Sequence, residues 1–340
     1  MNPLWSVKDV SMGGRRIARL DHLSVDIPAG ITAVLGQSGA GKSTLLNLLV
    51  GFERPASGRI DGPFLPPIPL RPDAVESRRL RVYWSPPTHG LWPHLTVREH
   101  LSTVADGGLD VDALLDSFDL TSMADVRPGT LSLGERSRLS VVRSLASNAR
   151  AIVLDEPLAH VDRSHVGKYW TAIRRHCREQ KTSLVFATHS PESVLREADH
   201  VICLSQGQLS YSGGVGVLYQ DPSTSELANL LGPCNWMTPA DRQRWQVDLA
   251  KVHGLEIGSC IRPERLSVDE VEEGPLTVES SRFAGSFSEV DLVDSRDGAR
   301  RTFVHRPASS KLKTGDMVRL SLDFLGSLVW QAALVGGMLC

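Results

Sequence analysis

Between Leu4 and Tyr219 the chain alternates short, wholly apolar runs with stretches of helical periodicity, the pattern of a mostly parallel sheet covered by helices. Ile31 to Leu35, Arg150 to Leu154 and Thr182 to Ala187 suit strands buried on both faces. Val166, Tyr169, Trp170, Ile173 and Cys177 recur at helical spacing behind Asp162, a capping residue type, so the last two runs bracket a helix. Another helix opens at Leu131 to Glu135 and carries the stripe Leu139, Val142, Leu145 and Ala146. Pro63 to Pro72 must be a loop, because proline neither donates to a ladder nor continues a helix. After Tyr219 a helical stretch punctuated by Pro222, Pro233 and Pro239 reads as a connector over 221–254. From Leu255 the texture changes to short alternating runs, Thr277 to Glu279, Ser288 to Val293 and Val318 to Leu322, parted by glycine and charged turns. The expected class is α/β over 1–220, followed by a small all-β domain over 255–340.

Composition narrows this only slightly. At 340 residues the chain has room for two domains and a large core. A formal net charge of -2 gives no sign of nucleic acid as a partner. Met1 to Val10 lacks a basic stretch followed by an apolar segment, so no signal peptide is expected. The longest apolar stretch, Phe324 to Cys340, contains Gln331 and falls short of the roughly 20 residues a membrane helix needs; it reads as a last strand plus tail. The cysteines Cys177, Cys203, Cys234, Cys260 and Cys340 are scattered and show no C-x-x-C spacing, as expected of reduced thiols.

The candidate chemistry begins at Gly36. Gly36, Gln37, Ser38, Gly39, Ala40, Gly41, Lys42, Ser43 and Thr44 form a complete G-x-x-x-x-G-K-[ST] loop, directly after one apolar run and before an apolar helix. Such a loop turns backbone N–H groups inward around phosphate oxygens, and the helix start adds its positive dipole end. Lys42 would neutralise the β and γ phosphates, and Ser43 would offer its hydroxyl to Mg²⁺. Downstream, the run Ala151 to Leu154 delivers Asp155 and Glu156 at its C-terminal end, where ligands bind in open α/β sheets. Asp155 is placed to hold Mg²⁺, and Glu156, pointing the other way, to polarise a water for in-line attack on the γ-phosphate. Ser132 and Gly134 open a helix, a second anion-binding terminus, although Ser132 read alone is equally an N-cap. His189 ends the next strand, within reach of the γ-phosphate.

In this order the motifs resemble the nucleotide-binding subunit of ATP-binding cassette (ABC) transporters, from about Leu4 to Tyr219. Gly36 to Thr44 match the Walker A loop, Leu131 to Glu135 the signature, Ile152 to Glu156 Walker B, Leu158 to Asp162 the D-loop and His189 the switch histidine. The resemblance implies a P-loop ATPase fold with a helical subdomain at about 88–148. It also implies ATP and Mg²⁺ as cofactors and head-to-tail pairing with a second ATP-binding subunit. Ser132 and Gly134 would then touch the partner's nucleotide. Ile261-Arg262-Pro263-Glu264, Phe283 to Ser286 and Gly315 to Ser321 resemble the small β-barrel (TOBE, of the OB-fold type) appended to importer ATPases. The implied role is to energise transmembrane permease subunits of an importer of ions or small solutes, peripherally at the cytoplasmic face of the membrane. The rivals are a soluble or regulatory ABC ATPase not coupled to transport and the ATPase of an exporter, the latter leaving the β domain unexplained.

Several positions depart from that family pattern. Pro87 stands where a glutamine is usual, Leu133 where glycine is usual, and Glu135 where glutamine is commoner. Met12 stands where an aromatic ring would stack on adenine, and Ala159 and His160 replace serine and alanine in the D-loop. Lys42, Ser43, Asp155, Glu156 and His189 are all retained, so the expectation is an active ATPase of reduced rate.

Overall fold

The computed structural model describes residues 3–14, 18–62, 82–105, 108–247, 258–306 and 312–322, which form two compact units, Met1–Val215 and Gly216–Cys340. The proline-rich passage at 63–72 and the apolar stretch at 324–340 lie outside the described residues.

The first unit opens with β1 (Trp5–Met12), β2 (Leu20–Ile27), β3 (Ile31–Leu35), α1 (Lys42–Leu49), β4 (Ser57–Asp61) and β5 (Val82–Ser85). It continues through α2 (Val97–Val104), α3 (Val111–Ser117), α4 (Leu133–Ala146), β6 (Ala151–Asp155), α5 (Arg163–Gln180) and β7 (Ser183–Thr188). It closes with α6 (Pro191–Glu197), β8 (His200–Ser205) and β9 (Gln208–Gly214). The apolar runs read as doubly buried strands are β3, β6 and β7, and every residue of β6 and β7 is buried. They belong to a six-stranded sheet ordered β5-β6-β7-β3-β8-β9, parallel except for the last pair. In a parallel sheet all C-terminal ends share one edge. That edge therefore collects the segments leaving β3, β6 and β7, with β7 seated between the other two.

A second, antiparallel sheet runs β2-β1-β4. Its inward residues Trp5, Leu23 and Ile27 join Leu45 and Leu48 of α1 and Val153 and Val185 of the central strands in one core. The α1 helix is thus held on both sides, which fixes the loop that precedes it. The α5 stripe behaves as its spacing predicts: Asp162 caps it by accepting from Ser164 N (2.9 Å), and Tyr169, Trp170, Ile173 and Cys177 are buried. Likewise Leu139, Val142, Leu145 and Ala146 of α4 are buried.

Within 88–148, α2 and α3 pack on α4. Among the buried residues of α4 one is charged. Arg143 is 2% exposed, and no carboxylate lies within ion-pair distance of it among the described residues. Its guanidinium donates to Gly90 O (2.8 Å) and His89 O (2.9 Å) and lies 4.6 Å from the centroid of the Trp92 ring. Ser140 adds a bond to His89 O (3.1 Å), and Trp92 N donates to His100 Nε2 (2.9 Å) beneath a stacked ring pair. The turn Pro86 to Trp92, where the expected glutamine is missing, is therefore clamped by two carbonyl bonds and a cation–π contact.

The second unit comprises α8 (Ser225–Leu230), β10 (Asn235–Met237), α9 (Pro239–Arg244), β11 (Ser259–Ile261), β12 (Leu266–Glu270), β13 (Leu276–Phe283), β14 (Ser288–Asp294), β15 (Arg300–His305) and β16 (Met317–Leu322), and α7 (Val215–Gln220) falls at the junction. A five-stranded antiparallel sheet is ordered β12-β16-β13-β14-β15. It curls so that Arg306 N, just past β15, donates to Leu266 O at the start of β12 (2.9 Å), giving the barrel-like closure. The stretch expected as a helical connector differs in part: β10 lies within it and pairs with β11. Met237, Trp245 and Val247 from this stretch enter the barrel core beside Phe303 and Leu320, so apolar burial, invisible to a proline-based boundary, makes it part of the folded unit. Among the described residues no helix is long and apolar enough to cross a membrane.

The Arg143 clamp has a measurable consequence. Replacing Arg143 with Met leaves two part-buried carbonyls short of a charged donor and lowers stability by about 1–2 kcal/mol in denaturant unfolding. Lys at 143 recovers less than half of that, since one ammonium cannot span both carbonyls and stack on the ring; full recovery by Lys would refute the clamp.

Candidate functional site

The phosphate loop leaves β3 at Gly36 and enters α1 at Lys42. Gly41 takes φ 101, and a Cβ there would meet Arg19 O at 2.6 Å, so both conformation and space demand glycine. At Gly36 the demand is spatial, since a Cβ would lie 2.5 Å from Leu204 O. Because Gly41 has no side chain, α1 has no side-chain cap, and its first N–H groups are left for an anion. Lys42 Nζ spans the loop, donating to Gly36 O (2.8 Å) and Gln37 O (3.1 Å). Thus Gly36 to Thr44 are assembled as one cradle, with Thr44 buried behind it.

Asp155 ends β6 only 6% exposed. Its carboxylate accepts a hydrogen bond from the Ser43 hydroxyl, while its Oδ2 is a buried oxygen with no hydrogen-bond partner among the described residues. Burial raises this carboxyl above the usual carboxylate range, and Glu156 next door raises it further, against the opposing pull of Ser43 and Lys42. An orphaned, charge-bearing oxygen beside a serine hydroxyl is a donor set for a hard divalent cation, so Ser43 and Asp155 fit Mg²⁺.

Glu156 comes next with φ 51, and its N–H donates to Ala187 O on β7 (3.0 Å). This left-handed step turns the side chain away from Asp155 and sets Oε1 2.9 Å from His189 Nδ1. The histidine ring is thereby held by one nitrogen, with Nε2 still available, and it is mostly exposed. Leu158 (φ 60) and His160 (φ 65) are also left-handed. Non-glycine residues there cost of order 1 kcal/mol or more apiece, so three within five residues mark a segment forced into shape. A cleft of about 400 Å³ opens beside this segment, lined among others by Glu156, His160, Arg163, Trp170 and His189. Water thus has access to Glu156.

Ser132 and Gly134 do not join this cluster: no hydrogen bond links them to residues 36–44 among the described residues. Ser132 caps α4 in a reciprocal box, its N (2.7 Å) and Oγ (2.8 Å) both donating to Glu135 Oε2 while Oγ accepts from Glu135 N (3.3 Å). These bonds hold the Glu135 carboxyl below its ordinary range. Gly134 abuts the D-loop of its own chain, where a Cβ would meet His160 O at 2.8 Å. Leu133 is 54% exposed in the first turn of α4. Pro87 is exposed in its turn. Met12 is not a substitute for a stacking ring: it ends β1 at 7% exposure, inside the core, because strand alternation turns it inward. Arg143, Ser140 and His100 belong to no motif; a charged residue within the α4 apolar stripe is the signal that finds the first of them.

A family model described as ABC transporter matches residues 20–159, and one described as TOBE domain matches residues 259–325. The chain is 30% identical over 334 residues to the Fe(3+) ions import ATP-binding protein of Pseudomonas fluorescens, covering 91% of this chain and 93% of that one. It is 32% identical over 213 residues to a sulfate/thiosulfate import ATP-binding protein of Synechococcus elongatus, spanning 60% of each chain. Among solved structures it resembles a dimeric ATP-binding cassette in a post-hydrolysis state bound to ADP and Pi, with a TM-score of 0.55 and 23% identity over 62% of this chain and 98% of that one.

The raised Asp155 carboxyl has a direct consequence for stability. A carboxyl raised in the folded state binds its proton more tightly folded than unfolded, so its contribution favours folding at low pH and is lost as the pH rises through the folded value. Asp155→Asn therefore raises the melting temperature of the nucleotide-free protein at about pH 8, and the gain shrinks toward about pH 5. Thermal melts across that range check it; a gain that does not vary with pH contradicts the assignment.

Proposed function

The chain belongs to the ABC transporter family, and we propose how its residues divide the work of the reaction. It is the ATP-binding, ATP-hydrolysing subunit that energises a multi-subunit importer. The observation that carries the assignment of roles is the convergence of Lys42, the Ser43–Asp155 pair and the Glu156–His189 pair on one edge of the parallel sheet.

The loop N–H groups and Lys42 bind the β and γ phosphates of ATP. Ser43 and Asp155 hold Mg²⁺, which when bound neutralises charge on the phosphates. Glu156 accepts the proton of a water entering from the cleft, directing it in line at the γ-phosphorus. His189, held by Glu156 through Nδ1, offers Nε2 to the γ-phosphate. Catalysis of this kind is mostly positioning and charge stabilisation, which is why the scaffold around Glu156 is over-determined. Ser132 and Gly134 serve the ATP of a second ATP-binding subunit, so each site is complete only in a dimer. The separate permease subunits supply the transmembrane path, and the chain acts peripherally at the cytoplasmic face of the membrane. The small β unit, matched by the TOBE family model, is its accessory domain.

The signature departs from this scheme in one charged position. The Glu135 carboxylate sits on the Ser132 hydroxyl, where the partner's γ-phosphate would approach, and like charges there oppose closure. Together with Pro87, this supports slow turnover.

Glu156→Gln abolishes ATP turnover while leaving nucleotide binding intact, read by phosphate release and by equilibrium binding of a fluorescent ATP analogue; retained turnover would falsify the role of Glu156. Glu135→Gln keeps the capping box, since glutamine can still accept from Ser132 N, but removes the charge. It is expected to raise turnover several-fold and to strengthen ATP-driven dimerisation in sedimentation experiments, and a lower rate would contradict the repulsion.

A further inference from the structure

Cys234 and Cys260, unremarkable in sequence, meet in the second unit. The β10–β11 ribbon places Trp236 opposite Cys260 and Asn235 opposite Ile261, and Cys234 immediately precedes that ribbon. Because side chains alternate along a strand, Cys234 and Cys260 are diagonal neighbours on the same face of this ribbon, and Cys234 Sγ lies 3.8 Å from Asn229 Oδ1. Both are free thiols. Cys260 is buried, whereas Cys234 is partly open to solvent.

Their neighbour is a buried cation. Arg262 is 2% exposed, donates to Tyr219 O (3.0 Å), Gly232 O (3.0 Å) and Pro233 O (3.3 Å), and its guanidinium lies 4.2 Å from the centroid of the Tyr219 ring. No carboxylate lies within ion-pair distance of it among the described residues; Glu264 instead accepts from Tyr219 Oη (2.9 Å). Arg262 Nη2 is buried without a hydrogen-bond partner among the described residues. A buried guanidinium without an ion-paired carboxylate favours a negative charge beside it; Tyr219 and Glu264, the nearby ionisable groups, are bonded to each other, and the register continued by one residue sets Cys234 opposite Arg262. In keeping with this, the neighbouring Cys260 and the field of Arg262 hold the Cys234 thiol below its ordinary value, while burial pushes Cys177 and Cys203 up to about 12.

We propose that Cys234 and Cys260 are a redox-active dithiol, oxidised to an intramolecular disulfide by low-molecular-weight disulfides, with Cys234 as the attacking thiolate and Cys260 as the resolving thiol. In the first step the Cys234 thiolate forms a bond to one sulfur of the external disulfide, whose S–S bond breaks and releases a thiolate that takes up a proton. In the second, Cys260 gives up its proton and attacks the Cys234 sulfur, expelling the second external thiol. Two electrons pass from the protein to the small disulfide, yielding one protein disulfide and two thiols. This goes beyond ATP hydrolysis and touches none of its residues.

The test uses the full chain, reduced, in a Cys340→Ser background so that a single accessible pair is followed. With iodoacetamide at neutral pH, Cys234 is expected to label at least about tenfold faster than Cys177 or Cys203, with a rate that falls as the pH is lowered. With oxidised glutathione, peptide mapping is expected to find a Cys234–Cys260 cross-link in the wild-type pair and a lasting glutathione adduct on Cys234 when Cys260 is replaced by Ser. Labelling of Cys234 as slow as that of the buried thiols overturns the activation. An adduct on Cys234 that never resolves in the wild-type pair overturns the dithiol.

Discussion

Burying a carboxylate under a phosphate loop is costly, and the nucleotide-binding unit is arranged around that cost. Asp155 closes a fully buried strand, receives one hydrogen bond from Ser43 and keeps an oxygen unsatisfied. Its position is possible because β6 is an interior strand and α1, which carries Ser43, is packed into the core by Leu45 and Leu48. The deficit is what gives a cation with its phosphates something to satisfy, since an already neutralised carboxylate would have little to gain from Mg²⁺.

Strain sits next to that charge. Three left-handed non-glycine residues between Glu156 and His160 are held by the Glu156–Ala187 backbone bond, by burial of Leu158 and by close contact of His160 with Gly134. The same segment therefore aims Glu156 at His189 and abuts the first turn of α4 in its own chain.

The two units share a second device. Each buries an arginine, Arg143 or Arg262, that has no ion-paired carboxylate among the described residues and binds loop carbonyls and an aromatic face instead. Guanidinium suits this use, because it is weakly hydrated, planar and able to bond several carbonyls at once. In the first unit the result is a rigid turn where the usual glutamine is absent. In the second it is a buried cation beside a thiol.

Local sequence was enough for everything that depends on periodicity or on a contiguous motif. The apolar runs that became β3, β6 and β7, the stripes of α4 and α5, and the loop from Gly36 to Thr44 were legible because burial on both faces and phosphate cradling each demand particular residues at fixed short spacing. The grouping of Lys42, Asp155, Glu156 and His189 was legible at one remove, since parallel strands bring their C-terminal ends to one edge. Features that spacing could not carry were decided in three dimensions. Met12 turned inward on a strand, Ser132 was tied to Glu135, Arg143 was clamped to a turn far along the chain, and β10 left its connector to pair with β11. Cys234 and Cys260 show the reason most plainly: a separation with no motif spacing became a diagonal pair on one face because β10 and β11 lie antiparallel, and an arginine with no ion-paired carboxylate among the described residues was buried beside them.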